Sequence, residues 1–185
     1  MHNSGQINLN MLDACSKRNV KRIFYSSSVC VYPEYNQMEP DNPNCTEDSA
    51  YPAQRDSDYG FEKLFSERMC LAYNRNKGME VRLVRYHNVF GPMGAWNDGR
   101  EKVPTAMCHE VAMAEDSGEI EVWGEGQQTR SFLYIDECLE LTRSDWMGPV
   151  NIVSDEMVTI NRLTRMVMEI AGKNLLSSTF QVPSG

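Results

Sequence analysis

Residues 24–34 read FYSSSVCVYPE, an apolar run that gives way to three serines, a cysteine and a proline. Together with the preceding VKRI, the stretch VKRIFYSSS (20–28) predicts a short buried strand with hydroxyls at its carboxyl end. Ahead of it, Ile7, Met11, Leu12 and Cys15 recur at helical spacing over 6–16, and Asn19 is a plausible stop. Behind it, residues 32–57 hold four prolines and many Asp, Asn and Glu, which predicts a long loop of the kind that often carries function. Residues 58–76 then place Phe61, Leu64, Phe65, Leu71 and Ala72 on one broad helical face. Asp56 or Ser57 suits the N-cap of that helix, and Gly78 suits the position just past its end. MEVRLVRYHNVFG (79–91) predicts a second strand, again ending in polar residues before a Gly-Pro turn.

Helix, strand, helix, strand in the first ninety residues predicts parallel α/β architecture. Ligands of such sheets bind beyond the carboxyl ends of the strands. By position alone, Ser26 to Cys30 either face a ligand or form a serine-rich turn that satisfies local backbone groups. Farther along, 103–115 reads as a helix and IEVWGEGQQTRSFLYI (120–135) as two short strands around a glycine turn. A helix starts at Asp136, PVNIVS (149–154) is strand-like, and 159–171 is an amphipathic helix with Ile160, Leu163, Val167 and Ile170.

Composition narrows the function classes. A formal net charge of −8 over 185 residues argues against a nucleic-acid partner, which needs a basic stripe. No apolar stretch approaches the length of a membrane span, and the first twenty residues lack the pattern of a secretory signal, so a cytoplasmic location is expected. The six cysteines (15, 30, 45, 70, 108 and 138) form no C-x-x-C, and His2, His87 and His109 stand at no metal-ligand spacing from them. Free thiols and no metal are expected.

The chemistry centres on YGFEK, where Tyr59 and Lys63 stand i, i+4 on the predicted helix and share a face. A lysine ammonium beside a phenol lowers a pKa that is otherwise about 10, giving a base usable at neutral pH. Such a pair alone is weak evidence. The combination is specific: a strand ending Ser-Ser-Ser, a proline-rich loop, a helix with Tyr-x-x-x-Lys, and a strand ending RYHNVFGP. This order resembles the extended short-chain dehydrogenase/reductase family, in particular its NAD-dependent nucleotide-sugar epimerases and dehydratases. SSSVCVYPE, DYGFEKL, RYHNVFGPMGAWNDGREKVP, WGEGQQTRSFLYIDEC and PVNIVSDEMV carry the resemblance over most of residues 8–170.

The resemblance implies an α/β protein with a partial Rossmann-like parallel sheet, its first βαβ units missing, followed by part of a small substrate domain. It implies a division into residues 1–90, the remaining NAD-binding part with the Ser/Tyr/Lys site, and 91–185, mainly for the nucleotide-sugar. It implies NAD as cofactor, GDP-mannose as substrate and a homodimer. Catalytic roles fall on Ser28, Tyr59 and Lys63, and on Cys30 and Lys102 as the pair that removes and returns protons on opposite faces of the sugar ring. Ser27, Ser28, Tyr59 and Lys63 fall at the cofactor, and Ser28, Cys30, Asn88, Glu101, Lys102, Gln128, Thr129 and Arg130 at the substrate. Read without the resemblance, Cys30 is a small buried hydrophobe and Lys102 and Arg130 are surface cations.

The sequence also departs from the family's pattern. The glycine-rich turn that cradles the NAD pyrophosphate occurs nowhere in it and is expected ahead of residue 1. Loss of the leading strands predicts an exposed sheet edge. Glu110 stands where a basic substrate-binding residue is expected, and the helix after Asp136 reads about one turn short. Two alternatives stay open. One is a dehydratase, decarboxylase or C4 epimerase of the same family, against which Val29-Cys30 argues because dehydratases carry an Asp-Glu pair there. The other is a non-catalytic remnant that binds a partner.

Overall fold

The computed structural model describes residues 2–36, 45–53 and 57–180; Asp56 and the middle of the proline-rich loop lie outside the described residues. In chain order the elements are α1 (His2–Lys17), β1 (Arg22–Ser28), α2 (Asp58–Lys77), β2 (Glu80–Tyr86), β3 (Val89–Phe90), α3 (Val103–Met113), β4 (Glu119–Trp123), β5 (Thr129–Ser131), β6 (Leu133–Tyr134), α4 (Ile135–Arg143), β7 (Gly148–Ile152), β8 (Met157–Thr159), α5 (Ile160–Ala171) and β9 (Leu176–Phe180). A single 3-10 turn at Val29–Val31 follows β1 directly, and two more at Glu34–Asn36 and Glu47–Ala50 occupy parts of the segment read as a loop.

Two compact units result. The first is Met1–His87 with Asp136–Ile152, and the second is Asn88–Ile135 with Val153–Gly185. The expected division at residue 90 was continuous; here the chain returns to the first unit for α4 and β7. The reason is sheet pairing, since β7 completes the sheet begun by β1 and β2.

In the first unit, the parallel sheet runs in the order β1-β2-β7, with Ser28 opposite Tyr86 and Tyr86 opposite Ile152. Its central strand β2 is buried from Val81 through Arg85, as a strand covered on both faces must be. Full burial of Val81, Leu83 and Val84 contributes roughly 1.5–3 kcal/mol per side chain. Leu12 of α1, Tyr25 of β1 and Cys70 of α2 close the core around Val81 and Leu83. Among the described residues no strand pairs with the outer side of β1, so β1 is a sheet edge. Helix α2 has the ends its sequence called for. The Ser57 hydroxyl accepts from the Gly60 N–H at 3.0 Å, and Gly78 takes φ +67° just past the last turn, where a side chain would be strained.

The second unit is built from two-stranded pairs: β3 with β6, β4 with β9 and β5 with β8. Met107 and Val111 of α3 pack on Ile120 of β4 and on Leu175, with Val167 and Met168 of α5 alongside. The two strands flanking the glycine turn do not pair with each other. β4 runs parallel to β9, whereas β5 runs antiparallel to β8. Gly126, at φ +69°, holds the turn against α5: its carbonyl accepts from the Asn161 N–H at 2.9 Å, and the Asn161 amide donates to the Glu125 carbonyl at 3.0 Å. Clasped this way, the turn sends its strands to different partners. Among the described residues no helix is long and apolar enough to cross a membrane.

Candidate active site

The three serines at the end of β1 have three different tasks, and strand alternation assigns them. The Ser26 carbonyl accepts from the Lys63 ammonium at 2.9 Å. Ser27 turns into the core and donates its hydroxyl to Glu67 at 2.5 Å. Ser28 is the N-cap of the turn Val29–Val31, its hydroxyl accepting from the Cys30 N–H at 3.2 Å. One residue of pleat thus turns the Ser27 hydroxyl inward, where Glu67 holds it, and leaves its main chain at the strand end.

Helix α2 brings its polar face to the same strand end. Capping by Ser57 puts Tyr59 in the first turn and Lys63 one turn later. The Lys63 ammonium lies 5.7 Å from the centre of the Tyr59 ring and 5.3 Å from that of Tyr25. The expected lowering of the Tyr59 pKa is not seen. Burial pushes the phenol above its ordinary value, a hydrogen bond with Ser28 pulls it down, and Cys30 and Glu62 push it up again. The lysine charge is directed at the Ser26 carbonyl instead. The first turn of α2 also meets the Cys30 turn directly. A Cβ on Gly60 would fall 2.0 Å from the Cys30 carbonyl oxygen, so only glycine lets the helix come this close. A phenol, an ammonium and a hydroxyl thus converge at the carboxyl end of a parallel strand. That donor set suits the hydroxyls of a sugar or of the ribose of NAD.

Behind this face lies a buried charged network. The side chains of Arg85 and Glu67 are 2% and 1% exposed and pair at 2.7 Å, with a second bond from Arg85 Nε at 3.0 Å. Arg85 also donates to the Tyr32 hydroxyl at 2.9 Å and to the Glu47 carbonyl at 2.7 Å. Tyr32 in turn donates to the Asn151 side-chain oxygen at 2.7 Å, and Asn151 donates its side-chain amide to the Cys45 carbonyl and its backbone N–H to a Glu47 carboxylate oxygen. Burial alone would lower the Arg85 pKa, but the Glu67 carboxylate more than offsets it and the net shift is upward. The sequence reading missed Glu67, Arg85 and Gly60. A signal was present: an arginine inside a strand buried on both faces requires a partner, and Glu67 lies four residues beyond Lys63 on the same helix face.

The remaining candidates lie in the second unit. Asn88 donates its amide to the Ser131 carbonyl at 3.0 Å. The Glu101 carboxylate accepts from the backbone of Asp98 and Gly99, and backbone N–H groups, its own first, hold it below the usual carboxylate range. Arg100 pairs with Asp98. Lys102 is exposed at the N-cap of α3. Gln128 precedes β5 and Thr129 opens it, the Gln128 carbonyl accepting from the Ile160 N–H at 3.3 Å. Arg130 is exposed and donates to the Thr129 carbonyl at 2.8 Å. Glu110, where a basic residue was expected, is exposed on α3, and burial and the nearby Glu121 raise its pKa while His109 lowers it.

Residues 1–143 match the NAD dependent epimerase/dehydratase family. The GDP-mannose 3,5-epimerase of Arabidopsis thaliana is 44% identical over 189 aligned residues, covering 100% of this chain and 50% of that protein. The chain therefore spans about half the length of this curated relative. Among solved structures, a UDP-glucuronic acid 4-epimerase from Bacillus cereus in complex with NAD superposes with a TM-score of 0.71 at 26% identity, over 95% of this chain and 55% of that one. A UDP-N-acetylglucosamine 4-epimerase from Methanobrevibacter ruminantium shares the fold with a TM-score of 0.80 at 24% identity, over 96% and 56%.

Proposed function

The chain belongs to the NAD dependent epimerase/dehydratase family, and from that premise we propose that it carries the catalytic residues of a GDP-mannose 3,5-epimerase, an NAD-dependent isomerase that converts GDP-mannose to GDP-L-galactose in the cytoplasm. One observation carries the reading: Ser28, the Cys30 turn, Tyr59 and Lys63 are gathered at the carboxyl end of β1 within one unit.

Ser28, Tyr59 and Lys63 are the residues that would hold the ribose end of NAD. When bound, NAD would take up the hydride from C4 of the hexose and, as NADH, would give it back to C4 after epimerisation. Tyr59 takes the proton of the C4 hydroxyl and later returns it. The resting phenol is protonated at neutral pH, because its pKa is raised. A positive charge brought closer to the phenol oxygen favours proton removal. A ketone at C4 acidifies the hydrogens on both neighbouring carbons. Cys30 and Lys102 remove and return these protons at C3 and C5 from opposite faces of the ring. A thiol suits the task because its ordinary pKa is near 8.5 and responds to neighbouring charge. Asn88, Glu101, Gln128 and Thr129 contact the nucleotide-sugar, and the planar fork of Arg130 matches diphosphate oxygens. The working protein is a homodimer.

Thermal-shift titration tests binding, since a ligand of the folded state raises Tm. NAD and GDP-mannose should each raise it. The absence of a shift with either ligand at millimolar concentration supports a non-catalytic, partner-binding protein instead. Deuterium wash-in at C3 and C5 of GDP-mannose tests the chemistry. Cys30→Ala and Lys102→Ala should each abolish it while leaving substrate binding, and normal incorporation in both removes these two residues from the mechanism.

A further inference from the structure

We propose that the buried Glu67–Arg85 pair is a positioning device for the candidate active site: it sets the register of α2, with Tyr59 and Lys63, against the strand end that bears Ser28 and Cys30. The inference rests on the reading of those four residues as the catalytic set.

The network touches every element around that set. Glu67 belongs to α2, Ser27 to β1 and Arg85 to β2, while Tyr32 directly follows the Cys30 turn and Asn151 lies on β7. Glu67, Lys63 and Tyr59 are spaced i, i+4 and i+8, so they share one helix face. Helix α2 is thereby tied to the segment Ser27–Cys30 at two places. Gly60 sets how closely its first turn approaches the Cys30 carbonyl, and Glu67 sets how far the helix lies along β1.

Stability does not account for the charges. Desolvating a carboxylate and a guanidinium is costly, and apolar residues of similar volume in place of such a pair commonly leave a protein as stable or more so. Apolar contacts, however, allow a helix to slide from one ridge to the next. Directional bonds through Ser27, Arg85, Tyr32 and Asn151 admit a single register.

The test separates register from stability. The double variant Glu67→Met/Arg85→Met is compared with the wild type by thermal melting and by the rate at which iodoacetamide alkylates each cysteine, resolved by peptide mass spectrometry well below Tm. Cys70, 1% exposed on α2, reports opening of the core, and Cys30 reports the site. A folded double variant should alkylate Cys30 faster by about threefold or more while Cys70 keeps the wild-type rate, because only the local turn is released. Unchanged Cys30 reactivity in that folded variant overturns the proposal, and so does a parallel rise at Cys70, which marks a purely structural pair. If the double variant does not fold, Ser27→Ala removes one tie and leaves the ion pair. It should raise Cys30 reactivity by a smaller factor with Cys70 unchanged, and no change at Cys30 overturns the proposal. These readouts need no sugar chemistry. Failure of the wild type to respond to NAD and GDP-mannose would therefore sink the epimerase reading while the register test still gave its own answer.

Discussion

The two units hold their candidate residues in different ways. In the first, Ser28, Tyr59 and Lys63 stand at the ends of a strand and a helix, backed by bonds between residues far apart in sequence, such as Ser27 with Glu67 and Tyr32 with Asn151. In the second, Glu101 is held by backbone groups two and three residues away, Arg130 by its neighbour's carbonyl, and Lys102 stands exposed at a helix start. A site built on regular elements with buried support is more rigid than one built on loops. Substitutions at the first should disturb folding and function together. Substitutions at the second should disturb function alone.

The largest expected effect tests the buried support. Glu67→Ala or Arg85→Ala leaves an unpaired buried charge and should cost about 3–5 kcal/mol in urea unfolding. Gly60→Ala comes next. Alanine is the better helix former by about 1 kcal/mol, yet its Cβ meets the Cys30 carbonyl, so a net loss of about 1–3 kcal/mol is expected from overpacking. A gain would show that α2 is free to move away from the turn. One residue of the second unit could break the comparison. Lys173 donates to the carbonyls of Val111, Ala112 and Ala114 at the end of α3, and Lys173→Ala should cost roughly 1 kcal/mol. A loss as large as that of Glu67→Ala would mean that the second unit also depends on a single polar tie. Lys102→Ala and Arg130→Ala should change stability by no more than about 0.5 kcal/mol, and a larger change would contradict their exposed placement. The smallest effect is a pH dependence. Burial holds the His87 imidazole below its ordinary value of 6.5, with a hydrogen bond to Asn151 opposing it. The unfolded chain therefore takes up this proton first. Stability is complete above pH 6.5 and falls as pH drops toward the lower folded value. His87→Gln should flatten that slope between pH 7 and 5, and an unchanged slope assigns it to other groups.

Much of the first unit was legible in the chain. The apolar spacing around Leu12 and Leu64, Ser57 ahead of a helix and Gly78 behind it are local signals, and each appears where the pattern put it. The spacing of Tyr59 and Lys63 likewise placed both on one face. The protonation of Tyr59 was not legible, because it depends on which acceptor Lys63 chooses, and Ser26 comes from another element. Nor were the partners of β4 and β5. The sequence showed two strands around a glycine turn but not their partners; pairing was settled by β8 and β9, far along the chain, and by the hold of Asn161 on the turn.

From the order of its residues alone, this protein had its helices, its first parallel strands and a shared helix face for Tyr59 and Lys63, because helical and strand periods, caps and turns act over a few positions. Long-range packing was needed to give Ser27 its partner Glu67, to join Glu67 to Arg85 and to return the chain to β7. Burial makes an unpaired charge or an unpaired strand costly, and that cost is visible only where distant segments meet.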